Sequence, residues 1–173
     1  ILYLTIFLTY SVSDIVNKIN VNGNDRISDE TILMFSSISL KDDLNEKNLN
    51  NILKNLYDTD FFKNVSVVLK DNVLEISVVE NPLIQEIKYK GIKSEKLKSN
   101  LTKNLKLKSR SSYSELILKR DKNKILTNLK ELGYHFSTVD VFVENLNDNK
   151  VEIVYEVFLG NKAKIKKISF IGN

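Results

Sequence analysis

Val65, Val67 and Leu69 alternate with neighbours of the opposite face, the alternation breaks at Asp71-Asn72, and Leu74, Ile76 and Val78 resume it. Period two predicts two strands joined by a tight turn, with these side chains on one face and Ser66, Lys70, Glu75 and Ser77 on the other. Upstream the period changes. Leu49, Ile52, Leu53, Leu56 and Tyr57 recur at i, i+3, i+4, i+7 and i+8, which predicts a helix capped by Asn45 and ending near Asp58-Thr59-Asp60. Ser36 to Asp43 reads as a loop, and before it Ser28 caps a shorter helix carrying Ile32, Leu33 and Phe35. An opening strand, Val16 to Val21, ends at Gly23-Asn24, where glycine permits a sharp turn. Glu80-Asn81-Pro82 closes the unit, and the chain's only proline suits a linker.

The same order then recurs. Ile84 to Tyr89 is a strand ended by Gly91, and a helix from Ser94 carries Leu97, Leu101 and Leu105. Ser112-Tyr113-Ser114-Glu115 reads as a capping box for a helix running through Leu118, Ile125, Leu129 and Leu132 to Gly133. Val139, Val141 and Val143 alternate, a polar turn spans Asn145 to Asn149, and Val151, Ile153 and Tyr155 alternate again. Phe62 to Val67 aligns with Phe136 to Val141, and Leu74-Glu-Ile76-Ser-Val78 with Val151-Glu-Ile153-Val-Tyr155. A third opening, Ile165 to Gly172 within Ala163–Asn173, repeats the spacing of Val16–Gly23 and Ile84–Gly91.

Each unit is therefore strand–helix–helix–strand–strand. The expected class is α+β, with a three-stranded mixed sheet covered on one face by two helices and wet on the other. Residues 14–81 form the first unit, 82–160 the second, and 161–173 the first strand of a third, so a longer array is expected. Residues 1–13 are apolar as far as Thr9 and then small, too short to cross a membrane as a helix. They fit the apolar part of a secretory signal with a cleavage site at Ser11-Val12-Ser13, and export is expected.

Charge adds an asymmetry that the modest net charge of +4 conceals. Residues 14–80 hold 7 basic and 12 acidic side chains, residues 88–130 hold 14 and 3, and residues 131–160 hold 1 and 6. The basic block faces phosphate or lipid headgroups, or it reflects a general lysine bias, since 23 of the 26 basic residues are lysine. With three arginines and no aromatic platform among the lysines, nucleic acid is not an expected partner.

Catalytic chemistry finds no foothold. One histidine, His135, and no cysteine leave no nucleophile–base arrangement, disulfide framework or zinc site. Asp42, Asp43, Asp58 and Asp60 sit at loops and helix ends without acid–base or calcium spacing, and the glycines are scattered at turns. A non-enzymatic binding module without cofactor or metal is expected. Strand edges offer main-chain hydrogen bonds to an extended peptide, unless they are blunted or covered.

These residues resemble POTRA domains, the periplasmic modules that precede the membrane barrel of BamA-type outer-membrane assembly proteins. The carriers are the three Ile/Val-x-x-Ile-x-aromatic/Val-x-Gly openings, Thr59-Asp-Phe-Phe-Lys-Asn-Val65, Leu132-Gly-Tyr134, and Val78-Val79-Glu80-Asn81-Pro82. The resemblance implies a periplasmic scaffold whose partners are unfolded outer-membrane β-barrel proteins and accessory lipoproteins, and a C-terminal barrel beyond the present chain. The basic block at 88–130, and not the resemblance, adds an anionic lipid surface to the expected partners. The resemblance also implies that peptide adds to the second strand of each unit. That edge is Asn64, Val65, Ser66, Val67, Val68 and Leu69, to Lys70, in the first unit, and Thr138, Val139, Asp140, Val141, Phe142 and Val143 in the second. Gly23, Gly91, Gly133 and Gly172 are the structural turns. Two-partner secretion transporters and TamA-like proteins share the module. A division protein of the FtsQ type carries a single one after a true transmembrane helix, which this sequence does not match.

Overall fold

The structure, a computed structural model, describes residues 14–163 and Ser169. The expected leader and the rest of the third opening, Gly172 included, lie outside the described residues. The described chain divides after Glu80 into two compact units.

The first unit contains β1 (Asp14–Ile15), β2 (Lys18–Asn22), α1 (Asp29–Ser36), β3 (Asp43–Leu44), α2 (Glu46–Asp58), β4 (Phe62–Lys70) and β5 (Val73–Glu80). Ser28 and Asn45 cap the two helices as expected, their side chains accepting from the Thr31 and Asn48 backbone N–H groups. The sheet order is β2-β5-β4, with β2 parallel and β4 antiparallel to the central β5. The crossover from β2 to β5 needs the intervening helices, whereas β4 reaches β5 through Asp71-Asn72 alone. Both turn residues have positive φ, 50° and 63°, which matches the twist a two-residue hairpin requires. Val65, Leu74, Ile76 and Val78 are buried against Ile32, Ile52 and Leu56 of the helices. Each fully buried leucine or isoleucine stabilises the unit by about 1.5–3 kcal/mol. The two-residue β1–β3 ladder is too short to show as sequence alternation. It ties the expected loop down, and Val16 and Asp42 reinforce it through a 3.0 Å backbone bond.

The second unit repeats the plan with β6 (Leu83–Lys90), α3 (Glu95–Thr102), α4 (Glu115–Glu131), β7 (Thr138–Leu146) and β8 (Lys150–Phe158), in sheet order β6-β8-β7. Its core joins Ile84, Val151, Ile153 and Tyr155 of the sheet to Leu101, Ile125 and Leu129. Tyr155 lies flat on Tyr89, ring centroids 5.2 Å apart. Burial, and then the nearby Asp121, raises the Tyr89 hydroxyl pKa to about 12, so no charge enters the core near neutrality.

Three sequence expectations shift here. The helix from Ser94 ends at Thr102, so Leu105 packs into the core from the connection after α3. The cap of α4 is Ser114, which accepts from Ile117 N–H, and not Ser112; Glu115 is thus the first helical residue and pairs with Lys119 at 2.7 Å. Two serines two positions apart offer the same hydroxyl, and the backbone of Ser112 is engaged instead in an isolated bridge to Leu83. The alignment of the last strands also moves by two residues. Val65 pairs with Val78 and Val139 with Val157, so Val78 corresponds to Val157 and Ile76 to Tyr155. The β7–β8 hairpin is longer, with strands to Leu146 and a turn at 147–149, and a two-residue slip conserves the buried face and so leaves the hydrophobic pattern unchanged.

Candidate functional site

In a three-stranded sheet the outer strands carry the only backbone groups left for a further partner, and which groups these are follows from the central strand. In the first unit the Asn72 carbonyl accepts from the Asn17 N–H on the β2 side at 2.8 Å. Alternation along β5 then turns Leu74, Ile76 and Val78 toward β2, and Val73, Glu75 and Ser77 toward β4. Their register partners Lys70, Val68 and Ser66 are therefore committed to the ladder, while Val65, Val67 and Leu69 direct N–H and C=O away from the sheet. In the second unit the Asn149 carbonyl accepts from Leu83 N–H at 2.9 Å, and the same parity commits Thr138, Asp140 and Phe142 to β8. Val139, Val141, Val143 and also Asn145 face outward.

The outward groups are not equally free. Val65 N–H donates to the Tyr57 hydroxyl at 3.0 Å, and that hydroxyl donates in turn to Asn64 Oδ1 at 3.2 Å beside a register shift between Phe62 and Asn64. This closes the first edge at its start. Among the described residues no hydrogen bond reaches the outward N–H groups of Val67, Leu69, Val139, Val141 or Val143. The expected twelve-residue set is therefore of two kinds. Half of it supplies outward backbone, and the other half supplies ladder bonds and exposed-face side chains, among them Val68 and Phe142, each about half exposed. Tyr57 was not expected here. Its place at the end of an apolar helical stripe masks it as core, and its 42% exposure sets it apart only once the fold is known.

Two buried carboxylates were also missed. Glu80, read in the sequence only as part of the close of the first unit, is 4% exposed and draws the loop from β2 to α1 onto the end of β5. Its Oε1 accepts from the backbone N–H of Asp25, Arg26 and Ile27 at 3.0, 2.9 and 2.9 Å, and Oε2 receives Arg26 Nε at 2.8 Å. Burial alone pushes its pKa up, but the three N–H groups and the Arg26 charge outweigh it and hold it below the usual carboxylate range. Asp121 does the same for the segment after α3, accepting from Lys106 and Leu107 N–H at 2.9–3.0 Å. Both are anchors for loops, with no reacting group beside them. Glycine is required at two of the expected turns, because a Cβ on Gly23 or Gly91 would run into the carbonyl oxygen of Val78 or Val157, at φ of 82° and 85°.

Among the described residues, no group of three or more His, Cys, Asp or Glu could hold a metal, and no helix is long and apolar enough to cross a membrane. His135 stands alone after Gly133, in the turn between α4 and β7.

The fold and its edges thus define a tandem array of two-layer α+β modules, each with a half-free strand on the same side of its sheet. A family model described as "POTRA: Surface antigen variable number repeat" matches residues 15–81 and 82–159, and the chain belongs to the POTRA family. It is 29% identical over 165 residues to the outer membrane protein assembly factor BamA of Neisseria meningitidis serogroup B, covering 91% of this chain and 20% of that protein. It is 28% identical to BamA of Neorickettsia risticii over 53% of this chain and 12% of that protein. The N-terminal domain of Omp85 from the cyanobacterium Thermosynechococcus elongatus superimposes with a TM-score of 0.57 at 16% identity, covering 84% of this chain and 63% of that one. The chain therefore spans about a fifth or less of the length of these two BamA relatives.

Proposed function

We propose that this chain is a periplasmic scaffold of an outer-membrane β-barrel assembly protein, and that it holds unfolded barrel proteins by adding them as a strand to β4 and β7. The observation that carries this reading is the recurrence, in both units, of the same outward-facing valine backbone along an otherwise solvated edge. Main-chain bonds impose little sequence preference, which suits a protein that must handle many clients, and the apolar side chains of Val68 and Phe142 beside the edges add a weak bias toward apolar residues. Accessory lipoproteins are the second class of partner, and the likeness to BamA over most of the chain supports it. In this reading residues 1–13 direct export, residues 161–173 open a further module, a barrel follows, and the chain catalyses no reaction.

Site-specific photo-crosslinking tests it. A photoreactive residue at Ser66 or Asp140, exposed on the edge strands, is expected to capture an unfolded barrel segment. The same probe at Asn20 or Lys90, on the opposite edge strands, captures little. Equal capture from both edges, with saturable binding, rejects the proposal.

A further inference from the structure

The fold sorts the charge of the second unit onto opposite layers. The helical layer and its connection, residues 95–131, hold 11 basic and 4 acidic side chains, and one of the four, Asp121, is buried beneath. The strands β7 and β8 with their turn, residues 138–158, hold one lysine and five carboxylates. A lysine bias of the source proteome would enrich both layers. It does not account for a helical layer at +7 above a sheet at −3 (11 less 4, and 3 less 6 once β6 adds Lys88, Lys90 and Glu86 to the hairpin).

Most of the basic side chains of this layer are also exposed. Lys96 lies on the outward stripe of α3, Lys103 caps its C-terminal end, Lys106 and Arg110 are exposed on the connection, and Arg120 lies on the outward stripe of α4. Of the three exposed acids of this layer, Glu95 and Glu115 are already paired with Lys98 and Lys119. One turn before Arg120 on the same stripe sits Leu116, 59% exposed, an apolar side chain with nothing in its own unit to cover it. Lysines in excess of arginines, spread over two helices around one exposed leucine, suit diffuse attraction to headgroups with shallow apolar insertion. Recognition of nucleic acid calls instead for stacking rings, and the one ring of this layer, Tyr113, is partly buried against the core.

We propose that the α3–α4 face of the second unit binds an anionic phospholipid surface. This goes beyond the scaffold reading and does not use the strand edges, so the two fail separately. Co-sedimentation of the 173-residue chain with phosphatidylglycerol vesicles at low salt is expected to show binding that phosphatidylcholine vesicles lack and that high salt abolishes. Each lysine charge near such a surface changes partitioning by about fivefold, so the triple variant Lys96→Glu, Lys106→Glu and Arg120→Glu lowers it by roughly two orders of magnitude or more. Leu116→Ser lowers binding several-fold without changing the salt dependence. Glu144→Lys, on the opposite face, leaves it unchanged, and the apolar residues 1–9 are the same in every arm. Binding that ignores lipid charge, that responds equally to Glu144→Lys, or that goes to an acidic polypeptide and not to vesicles overturns the proposal.

Discussion

Replacing Glu80 by glutamine removes a charge from a carboxylate that four donors surround while keeping its shape. Three of these donors are backbone N–H groups of Asp25, Arg26 and Ile27, and the fourth is Arg26 Nε. A hydrogen bond to a charged acceptor contributes about 1.5–3 kcal/mol and a neutral one about 0.5–1.5, so each donor loses about 1 kcal/mol. The Arg26 contribution is discounted because a third of its side chain is exposed, and bonds that share one carboxylate do not add fully. A loss of about 2–3 kcal/mol remains, confined to the first unit. Because the folded pKa is depressed, the carboxylate's contribution is complete above the unfolded value of about 4.3 and disappears as pH falls through the folded value. Urea unfolding followed by hydrogen exchange measures both effects, unit by unit. At pH 7 the first unit's midpoint falls by roughly 1–3 M at a slope of about 1–2 kcal/mol/M, and the difference from the parent narrows below about pH 4. An unchanged midpoint at pH 7, or a difference as large at pH 3, refutes the reasoning.

Further outcomes follow from the same geometry. Gly23→Ala and Gly91→Ala each force a Cβ against a carbonyl at positive φ, and thermal unfolding is expected to show a loss of about 2 kcal/mol or more in the mutated unit alone. Ser114→Ala costs about 1 kcal/mol by removing the α4 cap whereas Ser112→Ala costs little, a contrast that denaturant melts of the two variants read directly. Ser66→Pro and Asp140→Pro break ladder bonds inside the sheet and destabilise their units by about 3 kcal/mol, visible as lost exchange protection across the strand pair.

The elements themselves were legible because each is signalled by a periodicity that packing then uses. The stripe from Leu49 to Leu56 lies on the sheet, and the alternations at Val65–Leu69 and Leu74–Val78 form the hairpin they imply. What escaped was information carried by no side-chain period. A two-residue slip of β8 keeps every buried residue buried, so the correspondence of Ile76 with Tyr155 is visible only in the register. Glu80 and Asp121 look like solvated acids because their donors, Arg26 Nε apart, are backbone groups, which a sequence does not display. The strands β4 and β7 lie at sheet edges, but a side chain's face and a backbone group's direction are separate matters. The outward side chains of Ser66 and Asp140 sit on residues whose N–H groups point inward along the sheet.

That distinction supplies the most direct test of strand addition. Amide resonances of the two units, followed while an unfolded barrel segment is added, report each N–H separately. The account predicts an alternating response: Val67, Leu69, Val139, Val141 and Val143 gain exchange protection, while Ser66, Val68, Asp140 and Phe142, already bonded, change little. Saturable binding that protects neither set, or both alike, contradicts it.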